Sequence, residues 1–293
     1  MINMKIGMYG LEPMGYKILA ALRNRKILGY GYGYELCTLA DRVADPAYHA
    51  WRMKYDSVHG NPGGPVRPEG TGLWVSGIKL ECLPMRASLE MDWKGQGVNV
   101  VIDASDPMAS LQDLEGHRDA GAGKVIGCGV HPGTFIALPG VNLENYRIRE
   151  DHVVTVPDAA VTAWALALKY LQSAGYGIEQ SSALVVRAAS HGLNLMDGPS
   201  PLAGTGPEFW RPGRATLNNL IPVADNHAAV LGQAMPDLAG RLDSSTIQVP
   251  VAGAYHQLGS NLAQIKAGQW ITGHKGADSD WCSDKTTKRG SCG

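Results

Sequence analysis

Lys5-Ile6-Gly7-Met8-Tyr9-Gly10 is a short apolar run that ends in glycine, and five residues on Gly15-Tyr16-Lys17-Ile18-Leu19-Ala20-Ala21-Leu22-Arg23 carries helical spacing. The two read as strand, glycine turn and helix. A second strand over Tyr34 to Ala40 ends at Asp41, about 30 residues after Gly10, the length of one β-α-β unit. Outward from there, Gly60 to Thr71 holds three prolines and four glycines and predicts an exposed loop, followed by strands over Leu73 to Ile78 and Lys79 to Leu83. Val98 to Asp103 is apolar enough for a buried parallel strand, Leu111 to Ala120 for its crossover helix, and Lys124 to Cys128 for the next strand. The fold class is α/β, a doubly wound, mostly parallel sheet over residues 1–152.

Beyond His152 the pattern changes. Ala159 to Leu171, rich in Ala and Leu and holding Trp164, predicts a helix; Ser182 to Ala189 and Ser244 to Val251 predict strands. Val223 to Met235 predicts a further helix, and Met196 to Asn219 a long irregular loop. A smaller α+β domain over 153–272 is the economical organisation. The Lys, Asp, Ser and Gly of 273–293 cannot bury enough surface to order a tail by itself.

Composition narrows the function classes. With 293 residues, 44% of them hydrophobic, the chain can fill one large core or two smaller ones. Its 26 Lys and Arg against 27 Asp and Glu leave no charge excess to neutralise a nucleic-acid backbone or an anionic membrane. No apolar run approaches the roughly 20 residues of a spanning helix, and no secretory leader is expected before the first strand. Cys37, Cys82, Cys128, Cys282 and Cys292 include no Cys-x-x-Cys pair, so neither a zinc site nor a disulfide framework is expected. The expectation is a cytoplasmic protein that meets a small molecule, with no metal, nucleic acid or membrane partner.

A dinucleotide-binding turn needs one glycine for the tight turn, a second so that the backbone can approach the pyrophosphate, and a third for helix packing. Gly10 and Gly15 supply the first and third. The second position is Glu12, followed by Pro13, which sets an acid where a diphosphate would rest. Like charges a few Å apart cost about 1–4 kcal/mol at effective dielectric constants of about 80 to 20. Asp41 is placed either to bind a ribose 2′-hydroxyl or to serve as a strand-end turn residue. Gly7, Gly10, Gly15, Asp41 and Ser105 are therefore the candidate NAD-binding residues, with Glu12 and Pro13 opposing an unmodified binding mode.

The order of motifs is more specific than any one of them. Lys5 to Arg23, Ala40-Asp41, Lys54 to Gly60, Val101-Ile102-Asp103-Ala104-Ser105, Gly121 to Ile126 and Gly140-Val141-Asn142 with Tyr146 are followed by a second colinear set. That set is Asp197-Gly198-Pro199-Ser200, Trp210 to Ala215, Asn219-Leu220-Ile221-Pro222, Met235 to Leu242 and Val249-Pro250-Val251. Over roughly residues 4 to 251 the chain resembles the glyceraldehyde-3-phosphate dehydrogenase family. The resemblance implies an N-terminal Rossmann domain, a smaller C-terminal α+β domain and a homo-oligomer, dimer or tetramer.

It does not carry the family's chemistry with it. The family places a nucleophilic cysteine where the helix motif Leu166-Ala167-Leu168-Lys169 puts Ala159, and its general-base histidine falls on Arg187. Arginine stays protonated and cannot act as that base. The family's phosphate-binding hydroxyl and glycine fall on Asp225 and Asn226, and a phosphate-binding arginine on Gln248. In their place Asp158, Arg187, His191, Asp225 and His227 are the candidate catalytic residues, with Asp158 equally a helix N-cap and an Asp158–Arg187 ion pair one arrangement of the site. Three functions stay open. They are an enzyme of small-molecule biosynthesis that performs isomerisation, cyclisation or elimination without a thioester, a non-catalytic scaffold or partner subunit, and an NAD-dependent oxidoreductase with no covalent intermediate.

Overall fold

The computed structural model describes residues 4–11, 14–24, 33–55, 64–105, 110–189, 216–252, 255–265 and 269–274. At its centre β1 (Met4–Tyr9) runs parallel to β2 (Tyr34–Asp41) on one side and to β6 (Val100–Asp103) on the other. Around them lie β3 (Val66–Glu69), β4 (Gly72–Val75), β5 (Ile78–Pro84), β7 (Lys124–Cys128), β8 (Phe135–Ile136) and β9 (Val153–Val156). Their order is β3-β4-β5-β2-β1-β6-β7-β9-β8, with only the β3-β4-β5 edge antiparallel. The chain leaves β1 toward β2 and later returns to β6 on the other side, so the sheet's topological switch point lies between β1 and β6. The Rossmann-type expectation holds.

Three helices serve this sheet: α1 (Gly15–Asn24), α2 (Pro46–Lys54) and α3 (Leu111–Asp119). Asp45 accepts from the Ala47 N–H at the start of α2, with Pro46 in its first turn, while Ser110 and Asp113 form a reciprocal capping box on α3. On one side of the sheet Met8, Leu19, Leu39, Met53, Leu73 and Leu80 form a dry core. On the other Tyr9, Trp93, Val98 and Val101 do the same. Gly7 sits beneath Trp93, and a Cβ there would lie 2.8 Å from the indole ring, so its missing side chain is required by packing.

The second sheet follows the order β11-β12-β10-β13-β14, from β10 (Gly177–Ala189), β11 (Ile221–Val223), β12 (Leu242–Ala252), β13 (Tyr255–Ile265) and β14 (Gln269–His274). Only β10 and β12 pair in parallel. Helices α4 (Ala159–Ser173) and α5 (His227–Ala234) pack through Val161, Trp164, Leu168, Val230 and Leu231 into one core with Leu138 and Val141. Among the described residues no helix is long and apolar enough to cross a membrane.

Several boundaries differ from the sequence reading. The first sheet runs on to Val156, past His152, because β9 pairs with β7 and β8. The predicted loop over Gly60 to Thr71 contains β3, and the break between the next two strands falls at Ser76-Gly77, both at positive φ as a two-residue hairpin requires. The helix expected from Val223 starts at His227, since Val223 is still paired to Thr246 and the chain needs Ala224 to Asn226 to turn. The strand expected from Ser182 begins at Gly177, and α2 is an element that the sequence reading does not contain. Met196 to Ala215 and the tail from 275 lie outside the described residues.

Gly10, at the end of β1, has φ +83°, and a Cβ on it would sit 2.2 Å from the Ser105 Cα across the switch point. Gly10→Ala should lower unfolding free energy by about 1–3 kcal/mol in a denaturant titration, from the left-handed backbone and the forced separation of β1 and β6 together. An unchanged midpoint would show that the turn has room to give.

Candidate functional site

Pro157-Asp158 carries the chain from β9 into α4. Asp158 keeps an extended backbone and its Oδ1 accepts from the Val161 N–H at 3.0 Å, so the N-cap reading holds. The other oxygen has a second partner. His227, the first residue of α5, sets its Nε2 2.8 Å from Asp158 Oδ2, and its Nδ1 lies 3.0 Å from Asp225 Oδ1. Asp225 also accepts from the His227 main-chain N–H at 2.9 Å and from the hydroxyls of Ser244 and Thr246 on β12. Ser244 in turn accepts from the Ala228 N–H at 3.0 Å. The result is a chain of groups, Asp158, His227, Asp225, Thr246, running from a side chain 38% exposed to two that are 9% exposed.

Burial by itself would raise the Asp158 carboxyl, but the hydrogen bonds from His227 and the α4 N–H groups outweigh it and hold the group below its ordinary range. Asp225 is lowered likewise, with the Ser244 and Thr246 hydroxyls opposing its burial. Burial would lower His227, yet the two carboxylates raise it above 6.5. Below pH 6.5 the ring is therefore an imidazolium, with a carboxylate facing each nitrogen. The helix N-termini of α4 and α5 converge here, a place that favours anions, and the chain fills it with two carboxylates of its own. The imidazole lies between the carboxylates, so the three groups share no common point for a metal ion; among the described residues no group of three His, Cys, Asp or Glu is arranged to hold one.

Arg187 on β10 is paired in register with Gln248 of β12, one alternation beyond the Val185–Thr246 pair, so all four side chains lie on the sheet face that carries the site. The Asp158–Arg187 ion pair is not formed: Asp158 is taken by His227, and the Arg187 Nε is buried without a hydrogen-bond partner. His191 lies outside the described residues. Sequence reasoning missed Ser244 and Thr246, whose signal was the alternation Ser244-x-Thr246-x-Gln248 of polar groups on one strand face.

At the other candidate site, Gly15 allows the Gly10 carbonyl to approach, since a Cβ would lie 2.4 Å from it. Asp41, 7% exposed, spends Oδ2 on the Leu11 N–H at 2.7 Å and Oδ1 on the Val43 N–H at 3.1 Å. Each oxygen keeps one lone pair, so a ribose hydroxyl fits there as a third donor. Ser105 gives its hydroxyl to Asp103 at 2.6 Å and walls the turn with its backbone. Gly7 faces Trp93, as packing demands, and is not part of this cradle. Glu12 and Pro13 lie outside the described residues. On the described side of the turn, Asp41 thus keeps acceptor capacity for a hydroxyl donor.

Comparison with known proteins matches residues 4–110 to the glyceraldehyde 3-phosphate dehydrogenase NAD binding domain and residues 161–266 to the C-terminal domain of the same enzyme. The glyceraldehyde-3-phosphate dehydrogenase of Eremothecium gossypii is 30% identical over 247 residues, 84% of this chain and 70% of the relative. This chain belongs to the glyceraldehyde-3-phosphate dehydrogenase family. The enzyme of Wickerhamomyces ciferrii is 28% identical over 246 residues, covering 84% and 69%, and the cytosolic enzyme of Chlamydomonas reinhardtii 28% over 248, covering 85% and 69%.

Within a glyceraldehyde-3-phosphate dehydrogenase framework, the position assigned to the nucleophile is Ala159, the first residue of α4. No cysteine lies between Cys128 and Cys282 in the sequence. Cys128 ends β7, and its thiol is pushed up to about 11 by burial and by Asp103, which leaves no thiolate at neutral pH.

The shifted groups set a pH signature. His227, raised above 6.5, contributes stability that is complete below 6.5 and is lost as pH rises through its folded value. Asp158 and Asp225, lowered below 3.8, contribute stability that is complete above 3.8 and is lost as pH falls through theirs. His227→Asn should destabilise by about 1.5–3 kcal/mol between those limits, nearer the lower figure because Asp158 is partly solvated, and by less on either side. Urea titrations of both proteins across pH will show it; a pH-independent difference would contradict the paired imidazolium.

Proposed function

We propose that this chain is a member of the family that no longer oxidises glyceraldehyde 3-phosphate and instead performs acid–base chemistry on a small molecule without a thioester. The observation that carries this reading is the Asp158–His227–Asp225 chain at the start of α4, beside an alanine at the nucleophile position. Loss of the thiol removes covalent aldehyde oxidation. Two carboxylates at the convergence of two helix N-termini repel the phosphate that such a place would otherwise attract.

In this reading Asp158, the solvent-side end of the chain, takes a proton from a carbon beside a substrate carbonyl, and Arg187 stabilises the oxygen that gains charge. The proton returns to a neighbouring atom for isomerisation, or a hydroxide leaves with it as water for elimination. Neither outcome needs an oxidant. A carboxylate held below its ordinary range is a weak base, so the substrate proton must already be acidified by that carbonyl. The Asp41, Gly10 and Gly15 turn is a separate candidate site at which a dinucleotide would bind weakly; NAD, when bound, would supply hydride chemistry.

Three measurements test these readings. With glyceraldehyde 3-phosphate, NAD and phosphate the protein should form no NADH above the blank, and turnover at ordinary enzyme rates would overturn the proposal. Incubated with a metabolite extract, it should convert a compound to one of equal mass or of mass lower by water, and Asp158→Asn should slow this at least about 100-fold. Identical product profiles for the two proteins would favour the scaffold reading, which the capping role of Asp158 already accommodates. Calorimetric titration with NAD should reveal binding no tighter than about 1 mM, roughly −4 kcal/mol, and Glu12→Gly should tighten it about tenfold.

A further inference from the structure

Asp225 and Asp158 are not equivalent ends of one relay. Asp225 Oδ1 accepts from the Ser244 hydroxyl and the His227 main-chain N–H while facing the ring Nδ1, and Oδ2 accepts from Thr246. Both of its oxygens are held by groups of this chain, and its side chain is 9% exposed. Asp158 accepts from Val161 and from the ring Nε2, and its side chain is 38% exposed. Thr246 is 3% exposed and its Oγ1 also stands 3.4 Å from the ring Nδ1, so it touches both the buried carboxylate and the imidazole. Ser244 and Thr246 project from the same face of β12, which β10 fixes on one side and β11 on the other.

We propose that Thr246 and Ser244 are positioning residues: acting through Asp225, they lock the His227 ring with Nε2 toward Asp158, so that proton exchange between the site and a bound molecule passes through Asp158 alone. The inference deepens the acid–base reading above and rests on it for the substrate's part, but the asymmetry of the ring is a property of the protein itself. Two hydroxyl donors hold the Asp225 carboxylate at two oxygens, and a carboxylate held in this way cannot rotate to follow the ring. The ring cannot turn over unless its Nδ1 contact with Asp225 and its Nε2 contact with Asp158 break together. Among the described residues, the charged groups that face it are Asp158 from the start of α4 and Asp225 from the turn before α5, with Arg187 on β10 beyond Gln248.

The test is the solvent exchange of the two ring N–H protons of His227, read by ¹H–¹⁵N NMR on the intact protein labelled at histidine, at a pH below 6.5 where the ring is charged. The Nδ1–H should exchange at least about tenfold more slowly than the Nε2–H. Thr246→Val should bring the Nδ1–H rate up about tenfold, to near that of Nε2–H, and Thr246→Ser should restore the slow rate. Equal rates in the unmutated protein, or a slower Nε2–H, would overturn the assignment, whether or not the valine variant folds. A valine variant that keeps the slow Nδ1–H would overturn it too. If the rates behave as stated while Asp158→Asn leaves product profiles unchanged, the positioning role stands and the acid–base function falls.

Discussion

One carboxylate has to satisfy two demands at once. Asp158 ends the first sheet's last crossing, caps the N-terminus of α4 through Val161, and with its remaining oxygen holds His227 at the N-terminus of α5. Without that second contact the two helices of the smaller domain would meet only through apolar side chains, which fix separation but not rotation. The hydrogen bond supplies the direction. It also sets the charge of the place, because the two carboxylates favour the protonated ring and the ring favours their ionised forms.

The larger sheet solves an analogous problem with buried polar groups in a line. Trp93 gives its indole N–H to His117 Nδ1 at 3.0 Å, and His117 Nε2 reaches Asp103 Oδ2 at 3.2 Å. Because tryptophan is only a donor, Nδ1 must accept, and the proton of a neutral ring sits on Nε2 toward Asp103. Asp103 then holds Ser105, whose backbone abuts Gly10. The glycine turn at the switch point is thus supported from below by groups with almost no exposure. The two networks differ in what they present: the first ends at a partly solvated carboxylate, the second at a backbone wall.

Fold class is readable because its signals are local. Strand, glycine turn and helix follow one another within Lys5 to Arg23, and the colinear motifs over both halves identify the family by order alone. The differences have local causes as well. Asp45-Pro46 is a helix start whose cap, rather than any apolar stripe, marks it, and the Ser76-Gly77 hairpin is hard to place because both flanking strands are apolar. Val223 begins a largely apolar run that continues to Met235 and reads as one helix, but its pairing with Thr246 draws it into β11. In each case a pairing partner or a cap, not propensity, sets the boundary.

By itself the sequence determined the family and the doubly wound sheet followed by a smaller domain, and residue identity alone put an alanine at position 159 and an arginine at position 187. It also named Asp158, Asp225 and His227, but it paired Asp158 with Arg187 and did not join it to His227. Tertiary structure decided which groups meet. Asp158 and His227 are 69 residues apart and are joined only because α4 and α5 pack into one core with their N-termini together. Ser244 and Thr246 enter because alternate residues of β12 share a face. Residue type limits what a group can do; the partner that tunes it is chosen by the path of the backbone through space.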